Sequence, residues 1–436
     1  MKRLGQRQRN EYMKPKLLTT LPTTTRASLT ADILAGITVA LVALPLSIAI
    51  AIASGAAPET GLVTAIVAGF LISALGGSRV QIGGPTGAFI VVVAGVIAVH
   101  GYDGLVLATF MAGGILLIAS VLRIGSLVEW VPEPVVDGFT VGIAIIIATS
   151  QLVDALGLTI QHVPAEFLAK LPVIWAARET LSLPALSITL LTSVLIISLR
   201  RLAPRLPGLI IAVALASIVA GGMNGIVQTP VETIVSRFGA LASGLPAPHL
   251  PSFSMERVRE MLPSALVIAF LAGIESLLSA VVADRMIGGK HRPNAEILAQ
   301  GAANLGSALF GGLPATGAIA RTATNVRSGG RTPIAGITHA VILLLIALFA
   351  APIVGRLAMP ALAALLILTA WNMSEPHRWP ARLSKSRSDF ALFALTLALT
   401  VLTDLTVAIA VGTGVGLALR LRRRNVSPTD WPTPKR

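Results

Sequence analysis

The 436-residue chain contains no cysteine, which excludes disulfides, thiol nucleophiles and thiolate metal sites, and its six histidines fall at no metal-ligand spacing. Charged residues make up only 12% of the sequence and aromatics only 4%. The first share is about half of what an ordinary soluble domain carries. The second leaves few rings to grip a flat ligand such as a nucleobase. No paired acid and base or metal cluster stands in the apolar stretches, so nothing points to an intramembrane enzyme. A cleavable signal peptide is also missing, because the first thirty residues are polar and basic and the first apolar run outlasts a signal's length. Apolar residues are abundant at 54%. They lie in runs of about 20, the length that crosses a hydrocarbon core of roughly 30 Å.

Helix breakers divide these runs into fourteen candidate spans, seven in residues 31–224 and seven in 258–422. A basic segment, 1–30, precedes the membrane region 31–424, and a tail, 425–436, follows it. Of the 34 Lys and Arg residues, Lys170, Arg178, Arg237, Arg257, Arg259 and Arg356 fall in connections opposite the N-terminus, and Arg321 lies within a span. All the others share the side of the two termini, which the positive-inside rule makes cytoplasmic. The net charge of +14 therefore needs no nucleic-acid partner, and an anionic lipid surface attracts the same segments. An odd number of spans in each block gives the blocks opposite orientations, the topology of an inverted repeat.

Two spans are interrupted near their start by related motifs. Ser73-Ala74-Leu75-Gly76-Gly77 is followed by Thr86-Gly87-Ala88, and Ser307-Ala308-Leu309-Phe310-Gly311-Gly312 by Thr316-Gly317-Ala318. Each break opens the third span of its block, Pro85 to Val99 and Thr316 to Ser328, and runs of about 15 and 13 residues rise only roughly 20 Å. They read as half-helices that begin near the bilayer midplane, with Pro85 in a first turn and threonine hydroxyls placed to cap free N–H groups. Backbone that leaves the helix inside a membrane must line a protected cavity. Paired breaks in matching positions of two repeats point to the binding site of a secondary transporter. Facing helix starts, each equivalent to about half a positive charge, present N–H donors to an anion. Ordinary Gly-Pro kinks, or small residues repeated for helix packing, are the structural alternatives.

Two charged residues stand deep in their spans. Arg321 follows the second break by about one turn; a permanent cation there adds positive potential for an anion, unless it snorkels to the surface or pairs with a carboxylate. Glu275 interrupts an otherwise apolar span and is a candidate proton carrier. Ser276 and Ser279 offer hydroxyls nearby, with Ser279 one turn along the same face. A structural Glu275–Arg321 ion pair is the alternative for both.

At these residues the chain resembles the sulfate permease (SulP) family, called solute carrier family 26 in animals. The matching segments are Gln81 to Phe89, Pro134 to Gly142 with Gln151, Gly273 to Ser279, and Thr316 to Asn325, within a resemblance that runs from about Ala31 to Leu421. The resemblance implies a core of spans 1 to 4 and 8 to 11, a gate of spans 5 to 7 and 12 to 14, and a substrate held between the third and tenth spans. Carried over by position, Thr86, Gly87 and Ala88 supply one helix start and Ala318, Ile319 and Ala320 the other, with Phe89, Gly317 and Arg321 beside them. Pro45 and Ser47 line the site from the first span, where Leu46 replaces a polar residue of many relatives. Glu275 matches an acidic position that bacterial relatives link to ion coupling. Ile319 stands where sodium-linked bicarbonate relatives have a hydroxyl, and Glu275 replaces their Asp, which favours protons over sodium. Most relatives continue into a cytoplasmic STAS domain, whereas about a dozen residues follow Arg424, so either that domain is lacking or the sequence is truncated before it.

The expected fold is an all-α polytopic membrane protein of fourteen spans in a seven-plus-seven inverted repeat, with spans 3 and 10 as half-helices preceded by brief extended segments. The expected function is secondary active transport of a small anion, of the sulfate, bicarbonate or dicarboxylate class, by proton symport and alternating access. An anion channel, a uniporter, an exchanger, a sodium-coupled bicarbonate transporter and a nucleobase carrier are the alternatives. No cofactor or metal is expected. The setting is the inner membrane of a bacterium, and homodimerisation is a family expectation.

Overall fold

The computed structural model describes residues 13–123, 132–161, 163–164, 166–203, 206–226, 229–383, 386–403 and 405–422. Most of the basic N-terminal segment and the tail 425–436 lie outside the described residues. Among the described residues the regular structure is helical, apart from two strands of two residues each. In chain order the main elements are α1 (Arg26–Ala53), α2 (Pro58–Leu75), β1 (Gly83–Gly84), α3 (Ile90–Val121), α4 (Glu133–Ser150), α5 (Leu183–Leu202), α6 (Gly208–Met223), α7 (Met255–Ile287), α8 (Pro293–Leu309), β2 (Thr316–Gly317), α9 (Ile319–Arg327), α10 (Ile334–Phe349), α11 (Met359–Met373), α12 (Arg387–Leu402) and α13 (Leu405–Arg422). Six of the described helices, all within α1 to α5 and α7 or their extensions, are long and apolar enough to cross a membrane. Gly208–Met223, Ile334–Phe349 and Val407–Leu419 are shorter apolar helices.

Local chemistry sets the helix ends. Thr25 and Ser28 close a capping box at the start of α1, and prolines occupy the first turns of α2, α4, α5, α8 and α11, where a missing N–H costs nothing. Pro45 sits buried inside α1 and removes one ladder hydrogen bond near its centre. The third and fourth expected spans are joined in α3, preceded by a 3-10 turn at Gly87–Phe89. They meet at a kink where Gly101 has φ 69° and ψ −178°, a conformation only glycine takes without strain. The boundary read from the sequence therefore marks a bend between two helical stretches rather than a loop.

The helices sort into two groups by their packing. In the first, α8 lies along α3 and α2, α10 along α1 and α2, and α7 along α3 and α9. In the second, α12 packs on α4, α11 on α5 and α4, and α6 on α5. Small residues permit the closest crossing: a Cβ at Gly113 would stand 2.7 Å from the Leu305 amide nitrogen, and one at Gly301 2.9 Å from the Gly113 carbonyl oxygen. The Pro134 to Gly142 segment has a packing role too, since Gly138 and Gly142 receive α12 at Phe393 and Thr400. Its Asp137 is buried and bonded to Arg382 at 3.1 Å, which ties α4 to the chain after α11.

Because α3 and α8 meet backbone to backbone, Gly113→Val should separate them. Overpacking of this kind costs about 1–3 kcal/mol. The expected result is a lower thermal midpoint in detergent, and an unchanged midpoint would contradict the crossing.

Candidate functional site

The chain leaves α2 at Gly76, passes through β1 and enters the 3-10 turn of Gly87–Phe89; it leaves α8 at Phe310, passes through β2 and enters α9. β1 and β2 pair antiparallel, Gly83 with Gly317 and Gly84 with Thr316. The two interrupted stretches thus supply each other's backbone partners, a pairing the sequence did not disclose. Ala318 N–H extends the contact by donating to the Ile82 carbonyl at 2.8 Å.

Buried polar side chains hold the rest of the irregular backbone. Asn304 donates to the Ala315 carbonyl and accepts from the Ala315 N–H, both at 2.9 Å. Asn325 donates to the Val80 carbonyl at 2.8 Å, Thr322 accepts from the Ile82 N–H at 3.1 Å, and Thr64 accepts from the Leu313 N–H at 2.7 Å. Thr316 donates to the Ala272 carbonyl on α7 at 2.9 Å. Neither Thr316 nor Thr86 caps its helix as expected: the Thr86 hydroxyl is buried without a partner among the described residues, and no side-chain cap forms at Thr86 or Ala318. Caps are unnecessary where strand pairing fixes the entering chain.

Arg321, in the first turn of α9, is 1% exposed. Its Nη2 donates to Ser47 Oγ on α1 and to the Pro85 carbonyl, each at 3.1 Å, while Nε and Nη1 are buried without a partner among the described residues. Arg321 neither snorkels nor pairs with Glu275. It spans the gap between the helix starts behind the strands. Gly84 makes the room: at φ 147° it takes a backbone form that disfavours side chains, and a Cβ there would lie 2.5 Å from Arg321 Nη1.

The other expected residues divide around this linkage. Pro45, Ser47, Gly87, Ala88, Phe89, Gly317 and Ala318 are buried, Thr86 and Ile319 half-buried, and Ala320 exposed. A Cβ on Gly87 would meet Met373 Sδ at 2.9 Å and Ile147 Cδ1 at 3.5 Å, so this helix start abuts α11 and α4 of the other packing group. The Ala318 N–H, expected to face a ligand, is already taken by Ile82. The donors left without intrahelical partners by helix geometry are those of Gly87 and Ala88 on one side and Ile319, Ala320 and Arg321 on the other.

A model of the sulfate permease family matches residues 29–396. The chain belongs to the sulfate permease family. Members of that family are multi-pass membrane transporters, and the similar proteins are named as transporters rather than enzymes. YvdB of Bacillus subtilis, named as a candidate sulfate transporter, is 41% identical over 86% of this chain and 70% of its own length. The bicarbonate transporter BicA of a Picosynechococcus species is 31% identical over 86% of this chain and 67% of its own length. Among solved structures, the transmembrane domain of a cyanobacterial BicA superposes with a TM-score of 0.79 at 31% identity, covering 88% of this chain and 98% of that one. SLC26A9 superposes with a TM-score of 0.86 over 97% of this chain and 70% of that one, and at 17% identity this likeness speaks to the fold alone.

Seen against this sulfate permease fold, one residue escaped the sequence reading. Glu296 is fully buried, whereas Glu275 is half-buried on α7. One Glu296 oxygen accepts from the Gly77 and Ser78 N–H groups at 2.9 and 3.1 Å; the other accepts from Ser276 Oγ at 3.0 Å and Gln300 Nε2 at 3.2 Å. Ser276 in turn accepts from Gln81 Nε2 at 2.8 Å, and Ser279 meets the Thr322 hydroxyl at 3.2 Å. Both serines assigned to ion coupling therefore belong to the network behind the strands.

All four Glu296 partners are donors, which an acceptor-only carboxylate satisfies and an amide does not. Glu296→Gln turns an NH2 toward other donors, a conflict worth about 1–3 kcal/mol. A lower thermal midpoint in detergent is the expected reading, and a midpoint equal to that of the unaltered protein would contradict the network.

Proposed function

We propose that this protein is a secondary active transporter of a small anion. The observation that carries the proposal is Arg321: a guanidinium buried between two helix starts and held, among the described residues, by a serine hydroxyl and a carbonyl, with no carboxylate of those residues cancelling its charge. A buried cation with neutral partners retains its attraction for an anion, and free N–H groups of Gly87, Ala88, Ile319 and Ala320 supply directional donors around it. Sulfate and bicarbonate are the leading substrates, because YvdB and BicA are named for them.

In this reading the chain makes fourteen crossings with both termini in the cytoplasm. The helices that carry β1, β2 and α9 move as a core, and α4 to α6 with α11 to α13 form the gate. Gly87 against Met373 and Ile147 is the seam between them. Sliding along that seam exposes the anion first to one side and then to the other. Glu275, on the helix that supports β2, carries a proton with the anion, and Ser276 and Ser279 hold its surroundings.

The test is uptake of radiolabelled sulfate, bicarbonate and fumarate into proteoliposomes under an inward proton gradient, an inward sodium gradient, or neither. Proton-driven accumulation of one anion is expected. Glu275→Gln should abolish that accumulation while leaving exchange down the anion's own gradient. Proton-driven uptake that survives the substitution unchanged would remove Glu275 from coupling, and uptake indifferent to both cations would favour an exchanger or channel.

A further inference from the structure

On the side of the molecule reached by the far end of α1, a cavity of about 810 Å³ separates the two packing groups. One wall is formed by Ile90, Gly95 and His100 of α3, and the other by Ser150, Gln151 and Lys170. Its inner end, at Ile90, lies one turn beyond Gly87. The basic side chains on the wall differ in what they face. Arg237 is bonded to Asp154 and Glu232, and His100 to Glu260 at 3.1 Å. Lys170 is different: it belongs to the short Phe167–Ala176 helix, is 8% exposed, and donates to Ser150 Oγ at 2.9 Å. Among the described residues no carboxylate lies within 4 Å of it, although the exposed Glu166 stands one turn earlier on the same wall.

An ammonium group is strongly hydrated and has three donors. Holding it nine-tenths buried on the cavity wall against one neutral acceptor leaves two donors without a partner among the described residues. Burial lowers the pKa of the Lys170 ammonium from the usual lysine value. A small oxyanion supplies both the charge and the acceptors that are missing.

We propose that the Lys170 ammonium, held in place by Ser150 Oγ, forms an outer anion subsite, which takes a small oxyanion of the sulfate or bicarbonate kind before it reaches the helix starts. This rests on the anion-transport reading above and adds to it a second binding place. The structural alternative is that Lys170 only caps the C-terminal end of α4, where a cation is favoured in any helix.

The chain's lack of cysteine provides the test. A Cβ at Gly95 enters open space, so Gly95→Cys places a single thiol in the cavity without disturbing its neighbours. A membrane-impermeant thiol reagent added to the cavity side should label it, sulfate or bicarbonate should slow the labelling, and Lys170→Gln should remove that protection while Lys170→Arg keeps it. In uptake assays with the same two anions, Lys170→Gln should raise the apparent KM from the cavity side by about tenfold, the worth of one charge-assisted hydrogen bond, and leave the opposite side unaltered. Absent labelling, labelling that neither anion slows, or protection that persists in Lys170→Gln would overturn the subsite. A lowered thermal midpoint with equal KM changes from both sides would make Lys170 a helix cap. Lys170-dependent protection in a protein that transports neither anion would support the subsite and defeat the transport reading instead.

Discussion

Backbone that leaves the helix at membrane depth has to be hydrogen-bonded by the protein itself, and the β1–β2 pairing is how this chain meets that demand. Two glycine-rich breaks, some 230 residues apart, satisfy each other. What the strands leave over is taken by Asn304, Thr322, Asn325, Thr64 and Glu296, each aimed at a backbone group of the opposite or adjacent break. These bonds join α2, α7, α8 and α9 into one body around the strands. The two helix starts are consequently fixed relative to each other, which a loop held only by its own chain would not achieve.

Arg321 is the costly element of this arrangement. A guanidinium at such depth is tolerated when it faces polar partners, and here those partners are neutral. Pairing with a carboxylate would have spent the charge on stability. Leaving it with Ser47 and the Pro85 carbonyl keeps the charge available, and the same two contacts tie α1 and the entry to α3 to the start of α9. The residue therefore joins the structural linkage to the electrostatics proposed for anion binding.

The sequence disclosed the parts of this centre whose chemistry is unusual for a membrane span. Gly83, Gly84, Pro85 and Gly317 break apolar runs, and Arg321 puts a fixed charge in one. It did not disclose the residues whose chemistry is ordinary for their position. Glu296 follows Pro293 in the first turn of α8, where an acid reads as a helix-dipole residue, and only the fold brings Gly77 and Ser78 to it. Thr86 and Thr316 looked like caps because capping is local, but the strand pairing that displaces it is not. The kink at Gly101 falls beyond the expected end of the third span at Val99, because a glycine breaks an apolar run whether it bends a helix or opens a loop. Lys170 read as one charge of an external segment, and its burial against Ser150 depends on how the connecting helix folds back.

The most direct measurement is the affinity of detergent-purified protein for whichever anion it accumulates, compared between Ala88→Glu and Ala88→Gln. The two side chains are alike in size at the first helix start and differ in one negative charge. If the anion sits between the helix starts, Ala88→Glu should bind at least about tenfold more weakly than Ala88→Gln, since like charges at contact distance cost more than 1.4 kcal/mol outside bulk water. Equal affinity in the two folded variants would place the anion elsewhere.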